Sequence, residues 1–437
     1  MDEWVNTTLG EVVTAGKGKI QTGPFGSQLH ASDYVDAGIP CIMPTNMKNN
    51  RVDLTDIAFI TEEDAKRLSR HLVQEGDIVY SRRGDVTQKA LISKDEAGYF
   101  CGTGCLLVRP GTAIDSGFLT YHLSTPSNQA WIVNQAVGAH MANLNTGILA
   151  NVPLRVPNHA KQKKIAAVLS TLDTKIDLNH RINAELEVLA KAIYDYWFVQ
   201  FDFPDANGRP YKSKGGAMVW NDALKREIPA EWDAGSLDDL GKIVGGSTPS
   251  TADAANFGQG MIPWITPKDL SNNKGNKFIA RGETGVSEAG MRSASLTLYP
   301  AGTVLMSSRA PVGYLAIALN PLTTNQGFKS FVPSKGYGTS FVYYAVERSM
   351  PTIIQYASGS TFVEISGGVL KSVHAVLPDK SVTNAFCNLI EPIVKRQQQA
   401  EVENVELAQL RDWLLPLLMN GQVRVARSER SFSCRSK

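Results

Sequence analysis

Two loops that combine arginine with small polar residues are the part of this sequence best suited to contacting another molecule. The first is 81–89 (SRRGDVTQK) and the second is 307–313 (SSRAPVG), and each follows a short apolar run typical of a β-strand. A guanidinium group can pair with a phosphate, or with both acceptors on the edge of a guanine. The loops therefore predict contacts with nucleic acid, and ordinary solvated surface is the alternative interpretation.

Amide side chains accompany the arginines in each half of the chain. They occur in the segments 23–28 (GPFGSQ) and 324–329 (TNQGFK). Because Asn and Gln can make two hydrogen bonds to adenine, these segments are further candidates for base contacts. The predicted DNA-binding residues are Ser27, Gln28, Arg82, Arg83, Lys89, Arg309, Asn325, Gln326 and Lys329.

No pattern typical of a catalytic or metal centre accompanies these loops. The sequence has no GxxxxGK[ST] phosphate loop, no HExxH, no GxSxG and no GxGxxG between a strand and a helix. The seven histidines are dispersed, and the five cysteines are scattered without a CxxC pair, which favours reduced thiols. The sequence thus predicts a protein without catalytic residues, metal or cofactor.

Length and composition limit the number of domains, the surface charge and the location of the protein. A chain of 437 residues predicts two or three domains, and 43% hydrophobic with 20% charged residues is ordinary globular composition. The net charge is only +2, so any basic surface must be local. The first residues resemble no signal peptide, and no apolar run approaches the roughly 18–20 residues of a membrane span. We therefore expect a cytoplasmic protein without a membrane segment.

A long helical pattern from 159 to 203 must position the elements around it. Its interior lacks Gly and Pro, and apolar or amide residues recur every seven positions, as in a coiled-coil seam. One row is Ile165, Leu172, Asn179, Leu186 and Ile193, and a companion row is Leu169, Ile176, Asn183, Ala190 and Trp197. A single stripe of this kind is also compatible with an ordinary core helix.

The two halves of the chain repeat each other, which favours the coiled coil. Near the loops, a constant shift of 226 relates Gly76, Ser81, Arg83 and Val86 to Gly302, Ser307, Arg309 and Val312. Farther on, a shift of 221 relates Gly138, Leu149, Val152 and Pro157 to Gly359, Leu370, Val373 and Pro378. The same shift maps the first helical row onto Phe386, Ile393, Ala400, Leu407 and Leu414. A duplication that keeps the helix phase predicts two helices packed antiparallel, with the halves related by an approximate twofold axis.

The predicted fold is therefore α+β, with two duplicated strand-rich domains separated by two long antiparallel coiled-coil helices in a pseudo-twofold arrangement. The expected boundaries are a first domain at 1–157, a central helix at 158–203, a linker at 204–231, a second domain at 232–379, a second central helix at 380–421 and a basic tail at 422–437. The tail has little to bury and is predicted to be disordered.

Several segments resemble the specificity subunit of type I restriction-modification enzymes. They are KIAAVLSTLDTKIDLN (164–179), NAELEVLAKAIYDYWFVQFDFP (183–204), GRPYKSKGGAMV (208–219), SSRAPVGYLAI (307–317) and TNQGFKSFVP (324–333). The resemblance extends to about Val423, and only the arginine-rich tail departs from it. It implies two target recognition domains, at 1–157 and 232–379, that read a bipartite DNA sequence with a non-specific gap.

The resemblance also implies partners. A subunit of this family has no catalytic centre of its own, binds two modification subunits that methylate adenine, and joins two restriction subunits. The aromatic cluster at the end of the first helix would then be a docking surface for a modification subunit, or else pack under the first domain: Tyr194, Tyr196, Trp197, Phe198 and Phe201. The alternative function is a duplicated coiled-coil adaptor that binds proteins without DNA contact.

Overall fold

The computed structural model describes residues 4–136, 143–309, 311–357 and 364–425. The chain divides into two compact units: unit 1 is Met1–Ile176 with Glu406–Lys437, and unit 2 is Asp177–Val405. The repeat match between Gly138 and Gly359 lies outside the described residues, as does the tail from residue 426 onward, which was predicted to be disordered.

Helices occur in both units, and two of them are far longer than the rest. The helices of the described residues are α1 (Leu9–Ala15), α2 (Glu62–Arg67), α3 (Ser116–Leu123), α4 (Pro126–Gln135), α5 (Thr146–Ala150), α6 (His159–Tyr194), α7 (Leu237–Leu240), α8 (Pro267–Asn272), α9 (Glu288–Ser293), α10 (Thr339–Arg348), α11 (Met350–Gln355), α12 (Gly367–Ser372) and α13 (Lys380–Met419). A π-helical turn, Asp195–Val199, continues α6. The first long helix therefore stops short of the predicted residue 203.

The strands are short, as the frequent Gly and Pro residues predict. Those of unit 1 are β1 (Val5–Thr8), β2 (Lys19–Thr22), β3 (Tyr34–Val35), β4 (Ile39–Ile42), β5 (Met47–Lys48), β6 (Arg51–Val52), β7 (Ala58–Ile60), β8 (Ile78–Ser81), β9 (Lys89–Leu91), β10 (Phe100–Cys101), β11 (Cys105–Arg109) and β12 (Pro153–Val156). Those of unit 2 are β13 (Met218–Asn221), β14 (Arg226–Pro229), β15 (Asp233–Ser236), β16 (Lys242–Gly245), β17 (Phe257–Gly258), β18 (Ile262–Ile265), β19 (Phe278–Ile279), β20 (Gly285–Val286), β21 (Val304–Met306), β22 (Leu315–Ala318), β23 (Thr323–Thr324), β24 (Lys329–Val332) and β25 (His374–Leu377).

The two units share one sheet topology. Unit 1 has a sheet in the order β2-β11-β8-β9, and unit 2 has the same arrangement as β16-β24-β21-β22, extended by β19. A parallel pair follows in each, β4 with β10 and β18 with β23, and an antiparallel pair, β1 with β12 or β15 with β25, joins the two ends of each domain. The predicted duplicated α+β fold is confirmed.

Local hydrogen bonds repeat as well. Thr8 forms a capping box at the start of α1, and Ser236 does the same for α7, so the polar residue before each apolar run starts the helix. Gly76 and Gly302 have φ values of 84° and 82°, a region that favours glycine, in the turns that lead into β8 and β21. The shared turn chemistry explains why these positions survive in a repeat that is otherwise sparse.

Within unit 2, α6 and α13 run antiparallel to each other, and hydrogen bonds from buried amide side chains join them. Asn179 Nδ2 donates to Asn404 Oδ1 at 2.9 Å, and Asn183 Nδ2 donates to the carbonyl oxygen of Gln397 at 3.3 Å. The contacts pass from Asn404 to Gln397 on α13 as they advance from Asn179 to Asn183 on α6, so the two helices run in opposite directions. Both asparagines are buried, and another register would remove these two hydrogen bonds, so the asparagines favour the observed pairing.

The aromatic cluster at the end of α6 is core, which corrects both interpretations of it. Four members, Tyr194, Trp197, Phe198 and Phe201, are at most 8% exposed within unit 2. The Phe198 ring lies 4.9 Å from Phe341, 5.1 Å from Phe386 and 5.9 Å from Trp232. Burying such large rings removes much apolar surface from water, so they serve the second half of the chain and are not available to a partner. Tyr196 alone of the five is exposed, at 39%.

The segment predicted as a linker, 204–231, is also folded into unit 2. Its strands β13 and β14 form an antiparallel hairpin, and Tyr211 stacks on Phe203 with ring centroids 4.7 Å apart. Ile228 is buried in the same core as Phe198. Because segment 204–231 is mostly polar, its composition did not indicate that these few residues anchor it to the core.

Candidate nucleic-acid interface

One edge of the main sheet gathers the predicted loops in each unit. Strands β2 and β8 both run antiparallel to β11, which lies between them, so their C-terminal ends emerge at the same edge. Strands β16 and β21 flank β24 in the same way. The loops after β2 and β8 in unit 1, and those after β16 and β21 in unit 2, are therefore neighbours.

Arg83 and Arg309 occupy equivalent places at these edges. The residue before each donates its backbone N–H across the sheet at 2.8 Å, Arg82 to Gly104 O and Ser308 to Gly327 O. Each arginine then forms an isolated antiparallel bridge, Arg83 with Asn143 and Arg309 with Glu364. The sequence match between the two arginines thus corresponds to a match in backbone position.

In unit 1 the loop edge carries an exposed aromatic ring beside the arginines. The Arg82 guanidinium lies 5.8 Å from the centre of the Phe25 ring, which is 51% exposed, and Arg82 Nε donates to Asn143 Oδ1 at 3.3 Å. Arg83 is exposed, as is Ser27. Gln28 is half-buried, and its Oε1 accepts the backbone N–H of Phe25 at 3.2 Å, which closes the turn. The structure therefore brings Arg82, Arg83 and the 23–28 loop together.

Lys89 does not belong to this surface, contrary to the prediction. Its side chain is 2% exposed and lies over the ring of Tyr80, with Nζ 5.7 Å from the ring centre. Burial lowers the pKa of Lys89 to about 8, although the carboxylate of Asp85 opposes that shift. As the first residue of β9, Lys89 points into the interior, so its place next to the loop in sequence did not predict exposure.

In unit 2 the edge is richer in amides. Gln326 is exposed and its Oε1 accepts a hydrogen bond from the Thr248 hydroxyl, while Asn325 Oδ1 accepts the backbone N–H of Gly327 at 2.9 Å. Lys329 is half-buried opposite Gly245 in the β16–β24 pair. Arg309 is half-buried on the adjoining loop. All four predicted residues of this half thus lie at the β16–β24–β21 edge.

The two amide-containing segments are not equivalent, however. Segment 23–28 follows β2, whereas 324–329 leads into β24, the counterpart of β11. The true counterpart of Gly23 is Gly246: a Cβ at Gly23 would lie 2.2 Å from Gly102 O, and one at Gly246 would lie 2.0 Å from Thr324 O. Both positions need glycine because the chain passes so close to the neighbouring backbone.

Sequence reasoning missed the residues that face the two arginines. Asn143 and Glu364 are both half-buried, and each precedes a buried residue, Leu144 or Ile365, that is 0% exposed. The shift of 221 residues found elsewhere in the repeat relates these two positions to each other. That signal was present, but without the sheet topology nothing linked them to the arginine loops.

Metal ligands, membrane-spanning helices and reactive thiols would each indicate a different kind of site. Among those residues, no group of three or more His, Cys, Asp or Glu side chains is placed to hold a metal ion, and none of the helices is long and apolar enough to cross a membrane. Cys41, Cys101, Cys105 and Cys387 are free thiols, and burial raises the pKa of Cys41 to about 12. Cys41, Cys101 and Cys105 are buried, which makes these three thiols unreactive, and Cys387 is half-buried.

Comparison with known proteins relates the chain to one family. The family model described as type I restriction modification DNA specificity domain matches residues 1–188 and 229–403. The type I restriction enzyme MjaIX specificity subunit of Methanocaldococcus jannaschii is 40% identical over 200 residues, which are 43% of this chain and 45% of that protein. The HindI specificity subunit of Haemophilus influenzae is 23% identical over 423 residues, covering 83% of this chain and 89% of that subunit.

A solved structure agrees at the level of fold. The crystal structure of the type I restriction-modification system S subunit from M. genitalium gives a TM-score of 0.57 at 15% identity, covering 95% of this chain and 96% of that one. The two segments matched by the family model make up most of the sequence. The chain therefore belongs to the family of type I restriction-modification DNA specificity domains, which confirms the predicted role of a non-catalytic DNA specificity subunit.

Proposed function

We propose that the loop edge of each unit reads one half of a bipartite DNA site. Unit 1 reads through Arg83 with Ser27, Gln28 and Arg82. Unit 2 reads through Arg309 with Asn325, Gln326 and Lys329. The observation that carries this proposal is the equivalent backbone position of Arg83 and Arg309 at the same sheet edge in two duplicated domains.

The chemistry of both edges suits a DNA groove. Arginine can pair with guanine O6 and N7 or with a phosphate, and amides can read adenine. The sheet fixes the ends of each loop, so the arginines start from defined positions, as base recognition requires. Arg82 over the exposed Phe25 ring adds a cation held against an aromatic face at the same edge.

The long helices then act as the spacer between two reading domains. In this proposal the target recognition domains are 1–157 and 232–379, the central helices are 158–203 and 380–421, and the folded segment 204–231 connects them. The complex contains two modification and two restriction subunits and works in the cytoplasm. The DNA gap follows from the helix length.

Exposed apolar residues on the helices support the binding of partner subunits. In unit 2, Val188 and Leu189 of α6 are 69% and 49% exposed, and Val405 of α13 is 58% exposed. Neighbouring exposed apolar side chains are typical of an interface, and Val188 and Leu189 are adjacent in the sequence. They replace the buried aromatic cluster as the proposed contact for a modification subunit, and only Tyr196 remains from that cluster.

Alanine substitutions test the reading edges. Replacing Arg83 or Arg309 should cost about 1–3 kcal/mol of binding for a lost bidentate base contact and relax only one half of the site. The measurement is the sequence methylated by the assembled enzyme, together with DNA affinity at several salt concentrations. Arg209→Ala is the matched control, since this arginine pairs with Asp205 in the connecting segment. Unchanged affinity and sequence choice in both test variants would refute the proposal and favour a protein-binding adaptor.

A paired insertion tests the spacer. Seven residues added after Ile176 and seven after Val405 preserve the heptad phase and lengthen both helices by about 10 Å, or roughly three base pairs. Mapped methylation should then show a longer gap between unchanged half-sites. The same seven residues placed in the β13–β14 turn serve as the control and should leave the gap as it was. An unaltered gap after the paired insertion would exclude the helices as the spacer.

A further inference from the structure

Each arginine at the reading edge faces one side chain across an antiparallel bridge. Arg83 is opposite Asn143, and Arg309 is opposite Glu364. Residues directly opposite each other on antiparallel chains have Cβ atoms about 5 Å apart and project to the same side. The side chains of each pair therefore leave the backbone together.

The backbone holds these two positions firmly. The N–H of Leu144 donates to Arg82 O at 2.8 Å, and the N–H of Ile365 donates to Ser308 O at 3.0 Å. Leu144 and Ile365 are fully buried, so each anchors the residue before it. Asn143 and Glu364 thus have the fixed placement that reading a base requires.

A purely structural role does not account for the two residues. The helices that follow are capped by their neighbours: Asn145 Oδ1 accepts the N–H of Ile148 at 2.8 Å, and Ser366 Oγ accepts the N–H of Val369 at 3.2 Å. Asn143 Oδ1 accepts from Arg82 Nε at 3.3 Å, and the amide nitrogen on the same side chain is a donor that a base can accept. The capping chemistry therefore does not require an amide at 143 or a carboxylate at 364.

The chemical difference between the two positions is itself informative. An amide can both donate to and accept from adenine, whereas a carboxylate only accepts and therefore suits the amino group of cytosine. A carboxylate beside a DNA backbone is repelled by phosphate, so a glutamate at a reading edge fits where a base amino group can donate to it. The arginine beside each residue supplies the positive charge that draws the edge toward DNA.

We infer that Asn143 and Glu364 are specificity-determining residues, each reading one base next to the arginine that it faces, with Asn143 suited to adenine and Glu364 to cytosine. This inference rests on the proposed function of the two loop edges. In addition to the arginine, each domain then has one residue whose side-chain chemistry selects a base in its half-site. The two half-sites then differ in sequence because the two domains carry different side chains at one shared position.

Near-isosteric variants test the inference with little risk to folding. The full chain, in its assembled complex, selects from a library of double-stranded DNA with randomised half-sites, and the bound sequences are read. Asn143→Asp should lower the preference for adenine at one position of one half-site by tenfold or more. Glu364→Gln should do the same to cytosine at one position of the other half-site.

Matched controls lie two residues away. Asn145→Asp and Ser366→Asp keep a side chain that can cap α5 and α12, so the selected sequence should be that of the parent chain. An unchanged sequence in Asn143→Asp and Glu364→Gln, or a loss spread evenly over both half-sites, would overturn the inference. Arg83→Ala and Arg309→Ala are selected in parallel. If they relax their half-sites while the 143 and 364 variants change nothing, the inference fails and the proposed function stands.

Discussion

The two units bury the ends of the long helices with different side chains. In unit 2, the end of α6 and the π-helical turn after it carry Tyr194, Trp197 and Phe198. In unit 1, α13 ends in Leu415, Leu418 and Met419, at positions shifted by 221 residues. All six side chains are buried. The duplication has kept the pattern of burial but not the size or shape of the residues, so aromatic content here indicates core and not a partner surface.

A second difference lies where each domain meets the helices of its own unit. In unit 1, the Tyr121 hydroxyl donates to Asp173, which also accepts from Arg411 Nη1 at 2.8 Å. In unit 2, the hydroxyl of Tyr344 donates to Glu187 and accepts from Lys277 Nζ. The tyrosine is common to both units, whereas its charged partners differ.

Unit 2 also carries an extra carboxylate at this junction. Glu401 Oε1 accepts the backbone N–H of Lys277 at 2.8 Å, and Oε2 accepts that of Phe278 at 2.9 Å. Lys277 and Glu401 are 5% and 7% exposed, beside a cavity of about 570 Å³. A buried charged cluster of this kind fixes geometry at the cost of desolvation, and unit 1 avoids much of that cost.

The largest expected effect comes from the buried ends of the helices. Phe198→Ala should cost about 3–5 kcal/mol of the stability of unit 2, and Met419→Ala about 2–5 kcal/mol of that of unit 1, because each leaves a cavity among packed side chains. Hydrogen exchange followed by mass spectrometry on the full chain assigns the loss to one unit. Tyr196→Ala is the control on α6 and should change stability by less than about 1 kcal/mol.

The assignment of Phe198 to the core would be contradicted if Phe198→Ala left the hydrogen exchange of unit 2 unchanged but abolished binding of a modification subunit. That outcome would return the aromatic cluster to a docking role. Equal losses of stability in Phe198→Ala and Tyr196→Ala would also contradict the difference in burial between the two residues.

The sequence was most informative where local chemistry and spacing decide the structure. The heptad rows predicted α6 and α13, and the matched Gly76 and Gly302 prove to lie in equivalent turns, because each of these features depends on a few neighbouring residues. Arg83 and Arg309 were matched for the same reason. These features do not depend on which strand lies next to which.

Features that depend on strand order could not be derived in this way. Asn143 is 60 residues beyond Arg83, and only the antiparallel bridge joins them. Lys89 was assigned to a surface, although it is buried in β9 against the ring of Tyr80. Asp173 on α6 is bound by Tyr121 and Arg411, which are distant from it in the sequence. In each case a distant segment decides whether a polar residue meets solvent.

The two units should also respond to pH in opposite directions, with a smaller effect. Burial raises the pKa of Glu401 to about 7, although the N–H groups of Lys277 and Phe278 and the Lys277 ammonium oppose it, so unit 2 loses stability as pH rises from 4.5 through 7. Burial lowers the pKa of His122 to about 4, so unit 1 loses stability as pH falls from 6.5 toward 4. Each contribution is on the order of 3 kcal/mol at most, from the free energy of about 1.4 kcal/mol per pKa unit.

Hydrogen exchange at a series of pH values, corrected for intrinsic exchange rates, resolves the two contributions. Glu401→Gln should flatten the pH dependence of the stability of unit 2 between about pH 5 and 8, because it removes the titrating carboxyl but keeps an acceptor oxygen. The pH dependence of the stability of unit 1 should not change. His122→Gln should flatten part of the acid response of unit 1, where His71, also held near pKa 4 by burial, supplies the remainder. Parallel pH profiles for the two units, unaffected by either substitution, would show that the buried junction of unit 2 and the buried histidines of unit 1 do not set their stability.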